Sequence, residues 1–355
     1  MIGICGDLHI GTRSGDVNFL DFQTQWLESF MQDCLAKKVD YIIQVGDFFD
    51  VRKSMGVHIL DWVMETFIPM VEKYAIPWMI IVGNHDIYYR DSNEIYSTKL
   101  LEKLLPDMIS VVNRFEHIEI NDTEIFLCPW LDEKNRIELP KALGFTKARY
   151  MIGHLELAGF PLYKGVSNDH GMDSKPFHQF ERVITGHYHT ISSAHNVTYI
   201  GSPYHLTWAD YPDGDNRGWF LFDPVANSLE LQKNATHESL FALIEYNDDH
   251  DFEMNELLVY EGNILKIVVT KKENEKRFKN FLKILNEIKV IDYQIIDNTV
   301  LNIGSSETVD LSKPLESDTV VIFKDYIESS SADAGFDSQT MTLLMNDIYD
   351  KALNK

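Results

Sequence analysis

Asp, Asn and His residues gather in five short clusters: Asp7-x-His9, Gly46-Asp47-x-x-Asp50, Gly83-Asn84-His85-Asp86, Gly153-His154 and Gly186-His187-x-His189. All are oxygen or nitrogen donors. With no Cys in the set, a thiolate zinc site is excluded, and the mixture suits Mn, Fe or Zn more than Ca or Mg. Asp7, His9, Asp47, Asn84, His154, His187 and His189 are enough for two divalent ions. Two such ions about 3.5–4 Å apart clamp the attacking and leaving oxygens of an in-line displacement at phosphorus. One carboxylate must bridge them, and Asp47 is the natural choice, since it ends a central strand between the other clusters. His85 adjoins Asn84 but points elsewhere on an extended backbone. It suits protonation or stabilisation of the leaving oxygen, with Asp86 orienting its imidazole. Asp50 either supports the site or is a solvated loop carboxylate. Taken singly these motifs are weak, and most occurrences are surface turns. Their weight comes from the set, in this order.

Each cluster directly follows a short apolar run: Ile2–Cys5, Tyr41–Val45, Trp78–Val82, Arg149–Ile152 and Arg182–Thr185. Runs of this length and composition, bounded by Gly, read as buried strands. In an open α/β sheet the carboxyl ends of the strands form the binding crevice. Phe19–Lys37 reads as an amphipathic helix. Val57–Lys73 is apolar on most of its circumference and so should be buried on several sides. A third helix, about Glu94–Leu104, could share that surface. Further strands are expected at Ser110–Val112, His117–Ile120, Glu124–Cys128, Thr198–Ile200 and Trp219–Phe222. Leu229–Gln232 closes the domain after a hairpin signal at Asp223-Pro224 and Asn227-Ser228. A small α+β unit follows, with strands Phe241–Tyr246, Ile264–Thr270, Tyr293–Ile296 and Val320–Phe323 around a charged helix, Glu273–Lys289. Past a Ser-rich stretch, Met341, Leu344, Met345, Ile348 and Ala352 form one helical stripe with the spacing of a docking helix. Its cover is either a partner or the chain's own body.

The 355 residues carry a formal charge of −23 and 45% hydrophobic content. Met1 leads straight into the first strand, so no cleavable signal is expected, and no apolar stretch approaches the ~20 residues of a membrane span. The scattered Cys5, Cys34 and Cys128 suggest reduced thiols and a cytoplasmic setting. The charge is awkward for a nucleic-acid protein. Two divalent ions would bring −23 only to −19. DNA contact would have to rest on the metals, on a partner, or on local cations: Arg13, Arg52, Lys53, Arg90 and Lys164. Tyr88 and Tyr89 could stack on an unpaired base, an interaction of ~1–3 kcal/mol.

The segments GDLHIGTR, VGDFFDVRKS, IVGNHDIYYR, GHLELAGFPLYKG and ITGHYHTISSAHNVTYIGSPYHLTWAD together resemble the calcineurin-like metallophosphoesterases. Within these the chain is similar to the SbcD-type DNA repair nucleases, including the recombination endonuclease subunits of T-even-like bacteriophages. The likeness is strong over residues 1–225 and one of layout beyond. It implies a four-layer α/β/β/α sandwich over 1–235, a small α+β capping domain over 236–324, and a linker with a partner-docking helix over 325–355. It implies one metal on Asp7, His9, Asp47 and His189, a second on Asp47, Asn84, His154 and His187, and a catalytic His85. Mn2+ is the expected metal. DNA, cut at ends and in single strands, is the implied substrate. A coiled-coil ATPase like SbcC is the implied partner. A homodimer through helices near 57–73 and 94–104 is also implied; the alternative buries the first of these beneath the insert around 155–180. Many family members have His where this chain has Asp50. Two other readings compete. One is a phosphomonoesterase or cyclic-nucleotide esterase on the same fold, against which the long C-terminal extension argues. The other is a scaffold that has lost catalysis, against which the full ligand set argues.

Overall fold

The computed structural model describes residues 1–163, 165–214, 216–234 and 239–299. Its centre is a pair of six-stranded sheets. In the first, Ile2–Cys5, Tyr41–Gln44, Trp78–Ile81 and Ile109–Val112 run parallel in that order, and Gly218–Asp223 and Ser228–Lys233 extend it antiparallel beyond Ile2–Cys5. In the second, Thr123–Cys128, Tyr150–His154, Arg182–Gly186 and Val197–Tyr199 are parallel neighbours, with antiparallel strands at both edges.

The apolar runs lack polar alternation because these strands are covered on both faces. Successive side chains still take opposite sides. Ile2, Ile4, Ile43 and Ile81 of the first sheet meet Ile125, Leu127, Tyr150, Ile152 and Ile184 of the second in a shared core. Cys5, Ile42, Trp78 and Ile80 turn outward beneath helices, and Phe126, Met151 and Val183 do the same on the far side. Fully burying one such side chain stabilises by ~1.5–3 kcal/mol. The architecture is therefore α/β/β/α, as the sequence suggests.

The long helix spans Val17–Ala36, with the Asp16 side chain accepting the Phe19 N–H at its start. Its buried stripe, including Phe19, Trp26, Phe30 and Cys34, covers the first sheet. The apolar segment beginning at Val57 is helical to Tyr74, with a π turn at Val63–Phe67. The cause is Pro69, which cannot donate to the carbonyl four residues back and forces the ladder to slip. Ile59, Trp62, Phe67 and Val71 pack into the same core as the long helix, while Val57 and Met64 remain exposed. The insert around 155–180 does not cover this helix: its Phe160, Phe177 and Phe180 belong to the core under the second sheet.

The third helix is shorter than expected. Only Lys99–Leu104 is helical, because Ile87–Tyr89 and Ser92–Tyr96 pair as a β-hairpin. The β-prone Tyr88, Tyr89, Ile95 and Tyr96 around an Arg90-Asp91 turn override the helical spacing. Conversely, a helix at Glu133–Phe145 went unread because it contains Pro140; the Asp132 cap, which accepts the Asn135 N–H, was its available signal.

Phe241–Asn247, Ile264–Lys271 and Asp292–Asp297 make a separate, wholly parallel sheet. Helix Glu275–Glu287 packs on it through Phe278, Phe281 and Leu285. The expected strand Val320–Phe323 and the tail stripe lie outside the described residues. Among the described residues no helix is long and apolar enough to cross a membrane. The three cysteines are free and buried.

Candidate metal centre

All five clusters leave strands at the carboxyl edges of the two sheets and meet there. Tight turns are needed to aim their side chains back across the edge. His9, Asp47 and His187 have φ of 46°, 54° and 93°, a left-handed conformation that costs non-glycine residues energy and clusters at functional sites. The flanking glycines leave room for it. A Cβ on Gly46 would collide with the His154 imidazole, and one on Gly83 with the Asp47 amide. Gln44 completes the frame: its amide donates to the Gly6 and Gly46 carbonyls and accepts the Gly46 N–H. A lone amide inside an apolar strand was the signal for this role.

Asp47 is the geometric centre. Its Oδ2 lies 3.7 Å from His9 Nε2 and 3.4 Å from His154 Nε2. Two compact donor groups share it: Asp7, His9 and Asp47 on one side, Asp47, His154 and His187 on the other. Asn84 joins the second group, its Oδ1 lying 3.0 Å from His154 Nε2 and 2.8 Å from His187 Nδ1. His189 Nε2 stands 3.2 Å from His9 Nε2; two imidazole nitrogens that close need a shared proton or a shared cation. His154 donates Nδ1–H to the Val45 carbonyl at 2.7 Å, which leaves Nε2 as its free donor atom.

The electrostatics match a cation site. Burial opposes charge on Asp47, yet His154, with His9 and His85, holds it well below the usual carboxylate range. Burial likewise opposes a proton on His154, and the Asp47 and Asp7 carboxylates overrule it, raising the group to about 9; the proton they draw to Nε2 is the one a cation would displace on ligation. Burial, reinforced by His154, drops His187 to about 3, so this imidazole is neutral and free to ligate. Asp7 Oδ2 is buried without a hydrogen-bond partner. An orphaned carboxylate oxygen, converging imidazoles and a shared aspartate fit a pair of divalent ions. Burial penalises each charge, so carboxylates gathered this closely need opposite charge beside them.

His85 sits at the mouth. Its Nδ1–H donates to the Asp50 carbonyl at 2.7 Å, and its ring meets that of His9 edge-on at 4.7 Å. Asp86 does not orient it. The Asp86 carboxyl faces inward, with Oδ2 accepting the Gly83 and Asp47 N–H groups at 2.9 and 3.0 Å and Oδ1 accepting that of Phe49 at 3.1 Å. Burial, with Asp47 nearby, pushes it up to about 7. Asp86 therefore shapes the Asp47 turn. Asp50 approaches His9 Nδ1 at 3.1 Å, a supporting contact rather than a solvated carboxylate.

Sequence reading missed the support behind His189. The Asp210 carboxylate lies 3.6 Å from His189 Nδ1 and raises that imidazole against the opposing effect of burial. Arg217, itself buried, donates to the His189 carbonyl at 2.9 Å and pairs with Asp213 at 2.8 Å. Asp210 closes the run ending in TWAD and could have been suspected; nothing in the sequence marks Arg217. His205 stays apart from the donor groups. Burial, then Arg217, lowers it to about 4.

The cations nominated for DNA separate. Arg52 and Arg90 line a cavity that also touches Asn84 and His187. Lys53 is exposed on the loop after Arg52, and Tyr88 and Tyr89 are half-exposed on the hairpin. Arg13 turns elsewhere, 4.0 Å from Asp292 and over the Phe241 ring of the small sheet, so it is already engaged. Lys164 lies outside the described residues.

The family model for calcineurin-like phosphoesterases matches residues 1–191. Over 98% of both chains the sequence is 28% identical to exonuclease subunit 1 of Enterobacteria phage T4. It is 24% identical to the D chain of the nuclease SbcCD of Staphylococcus saprophyticus, over 55% of this chain and 58% of that one. A solved archaeal phosphodiesterase aligns with 66% of this chain and 99% of its own, at 12% identity and a TM-score of 0.35.

Proposed function

We propose that this chain, which belongs to the calcineurin-like phosphoesterase family, is the nuclease subunit of a DNA-processing complex and hydrolyses DNA phosphodiesters with two divalent ions, Mn2+ first among them. One observation carries the reading: Asp47 belongs to both donor groups, as a bridging carboxylate must. The full-length likeness to a phage exonuclease subunit supports DNA as substrate.

Asp7, His9, Asp47 and His189 would hold one ion, and Asp47, Asn84, His154 and His187 the other. When bound, the pair supplies Lewis acidity at the phosphoryl oxygens and lowers the pKa of bound water. The chain does the rest. The Val45 carbonyl sets the His154 tautomer, and Asp210 with Arg217 holds His189. Asp86 fixes the Asp47 turn. His85, its tautomer set by the Asp50 carbonyl, keeps Nε2 for the leaving oxygen.

We read residues 1–235 as the nuclease domain, 236–324 as the capping domain, and 325–355 as linker and docking helix. The partner is an ATPase like SbcC. The exposed Val57 and Met64 support a homodimer through the helices near 57–73 and 94–104. Mn2+-dependent cleavage of single-stranded plasmid DNA, compared with that of a chromogenic monoester, tests the substrate class. Preference for the monoester would overturn it. Deleting residues 329–355 should spare cleavage by the isolated subunit and remove co-purification with the ATPase.

A further inference from the structure

We infer that Trp130, with Arg52, Arg90 and Arg136, forms a nucleotide subsite beside the metal centre, the indole receiving a base and the guanidinium groups the adjoining backbone phosphates of a single strand. The inference rests on the nuclease reading for its substrate class. A cavity of about 530 Å³ opens against Asn84 and His187, and these four residues line it.

Trp130 is held rigidly. It follows the strand Thr123–Cys128, and its amide donates to the Val82 carbonyl at 2.8 Å, tying the second sheet to the first. Its carbonyl accepts from Asn93 Nδ2 at 2.7 Å. The indole is 5.1 Å from the His187 ring, yet it is only partly buried. A flat aromatic anchored at the edge of a reaction centre is the platform on which unpaired bases stack, without sequence preference.

Acidic residues outnumber basic ones by 55 to 32, yet among the described residues none of the three guanidinium groups has a carboxylate within ion-pair distance. Arg136 is steered by its own Nε–H, which donates to the Leu131 carbonyl at 2.9 Å. The wall also holds four carboxylates, two of them already occupied. Asp132 accepts the Asn93 and Asn135 N–H groups, and Glu156 accepts from Asn168. Asp91 and Glu133 remain, both exposed to water. Unpaired guanidinium forks match phosphate oxygens geometrically as well as by charge. The wall as a whole sums to −1, three guanidinium groups against four carboxylates, so phosphates would be met by the fork geometry rather than by a net positive surface.

The test measures binding and turnover separately. Calorimetry with a phosphorothioate oligothymidylate in Mn2+ should show affinity falling roughly five- to hundredfold in Trp130→Ala, the range of one base–aromatic stack. Trp130→Phe should recover most of it. Arg136→Ala should weaken binding about tenfold and flatten its salt dependence. In kinetics on unmodified oligothymidylate the loss should fall on KM more than on kcat. Equal affinity in wild type, Trp130→Ala and Arg136→Ala overturns the subsite. So does a Trp130→Ala defect confined to kcat that Phe fails to rescue, which would make the indole mere packing for His187. Wild-type hydrolysis of bis(p-nitrophenyl) phosphate without cleavage of any oligonucleotide sinks the nuclease reading instead. The calorimetric comparison would still decide the subsite.

Discussion

Two buried aspartates follow parallel strands in this chain, and their surroundings are opposite. Asp248 follows Phe241–Asn247 in the small sheet. It accepts from the Tyr246 hydroxyl at 2.7 Å, from the Asn274 amide at 2.6 Å and from the Glu273 amide. All these partners are donors, so the carboxylate is satisfied within the fold. Asp7 follows Ile2–Cys5 in the first large sheet. It accepts the His187 N–H through Oδ1 and leaves Oδ2 buried and unpartnered. Asp47, one strand over, faces imidazoles. A carboxylate at a strand end is thus not a site by itself. It becomes one where several strand ends converge and hydrogen-bonding capacity is left unfilled.

The sharpest way to break this contrast is to remove each carboxylate. Asp47→Ala should abolish Mn2+-dependent diester hydrolysis, by about a thousandfold or more, because both donor groups lose their shared member. Bound Mn2+, counted by elemental analysis, should fall below two per chain. Retained activity with full occupancy would rule out the bridge. Next in size is His85→Ala, which should lower kcat by ~10²–10⁴-fold, the usual cost of losing one general acid. Its Mn2+ count should stay at the wild-type value; a lost ion would make His85 a ligand.

Asp210→Asn probes the support of a donor rather than the donor. It keeps the shape and loses the charge beside His189, so Mn2+ affinity should drop by roughly 10–100-fold. Competition with a chelator reads this directly, and an unchanged affinity would reduce the Asp210–Arg217 pair to packing. The smallest effect belongs to the other aspartate. Asp248→Ala should leave Mn2+ binding and hydrolysis of a small diester at wild-type values and lower the melting temperature by only a few degrees. A loss of metal there would erase the contrast between the two strand ends.

Much of this protein is readable from its sequence because local chemistry and position coincide. The runs before Asp7, Asp47, Asn84 and His187 are too short and too apolar to be anything but covered strands. A strand's end fixes where its next residue emerges. That is enough to bring the donor types to one crevice and to foresee a sandwich. Element identity failed where local signals competed: Tyr88–Tyr96 took a hairpin over a helix, and Pro140 hid one. Tertiary structure alone decided which donors face which. Asp86 sits next to His85 in sequence, yet serves the turn of Asp47, because the backbone between Gly83 and Asp86 curls inward and aims its carboxyl at four amide groups. Arg217 and Trp130 carry no motif, and Asp210 ends one that does not reveal its role. Their roles arise where residues well separated along the chain meet at the edges of two sheets. Such contacts depend on how the sheets stack, and no local spacing encodes that.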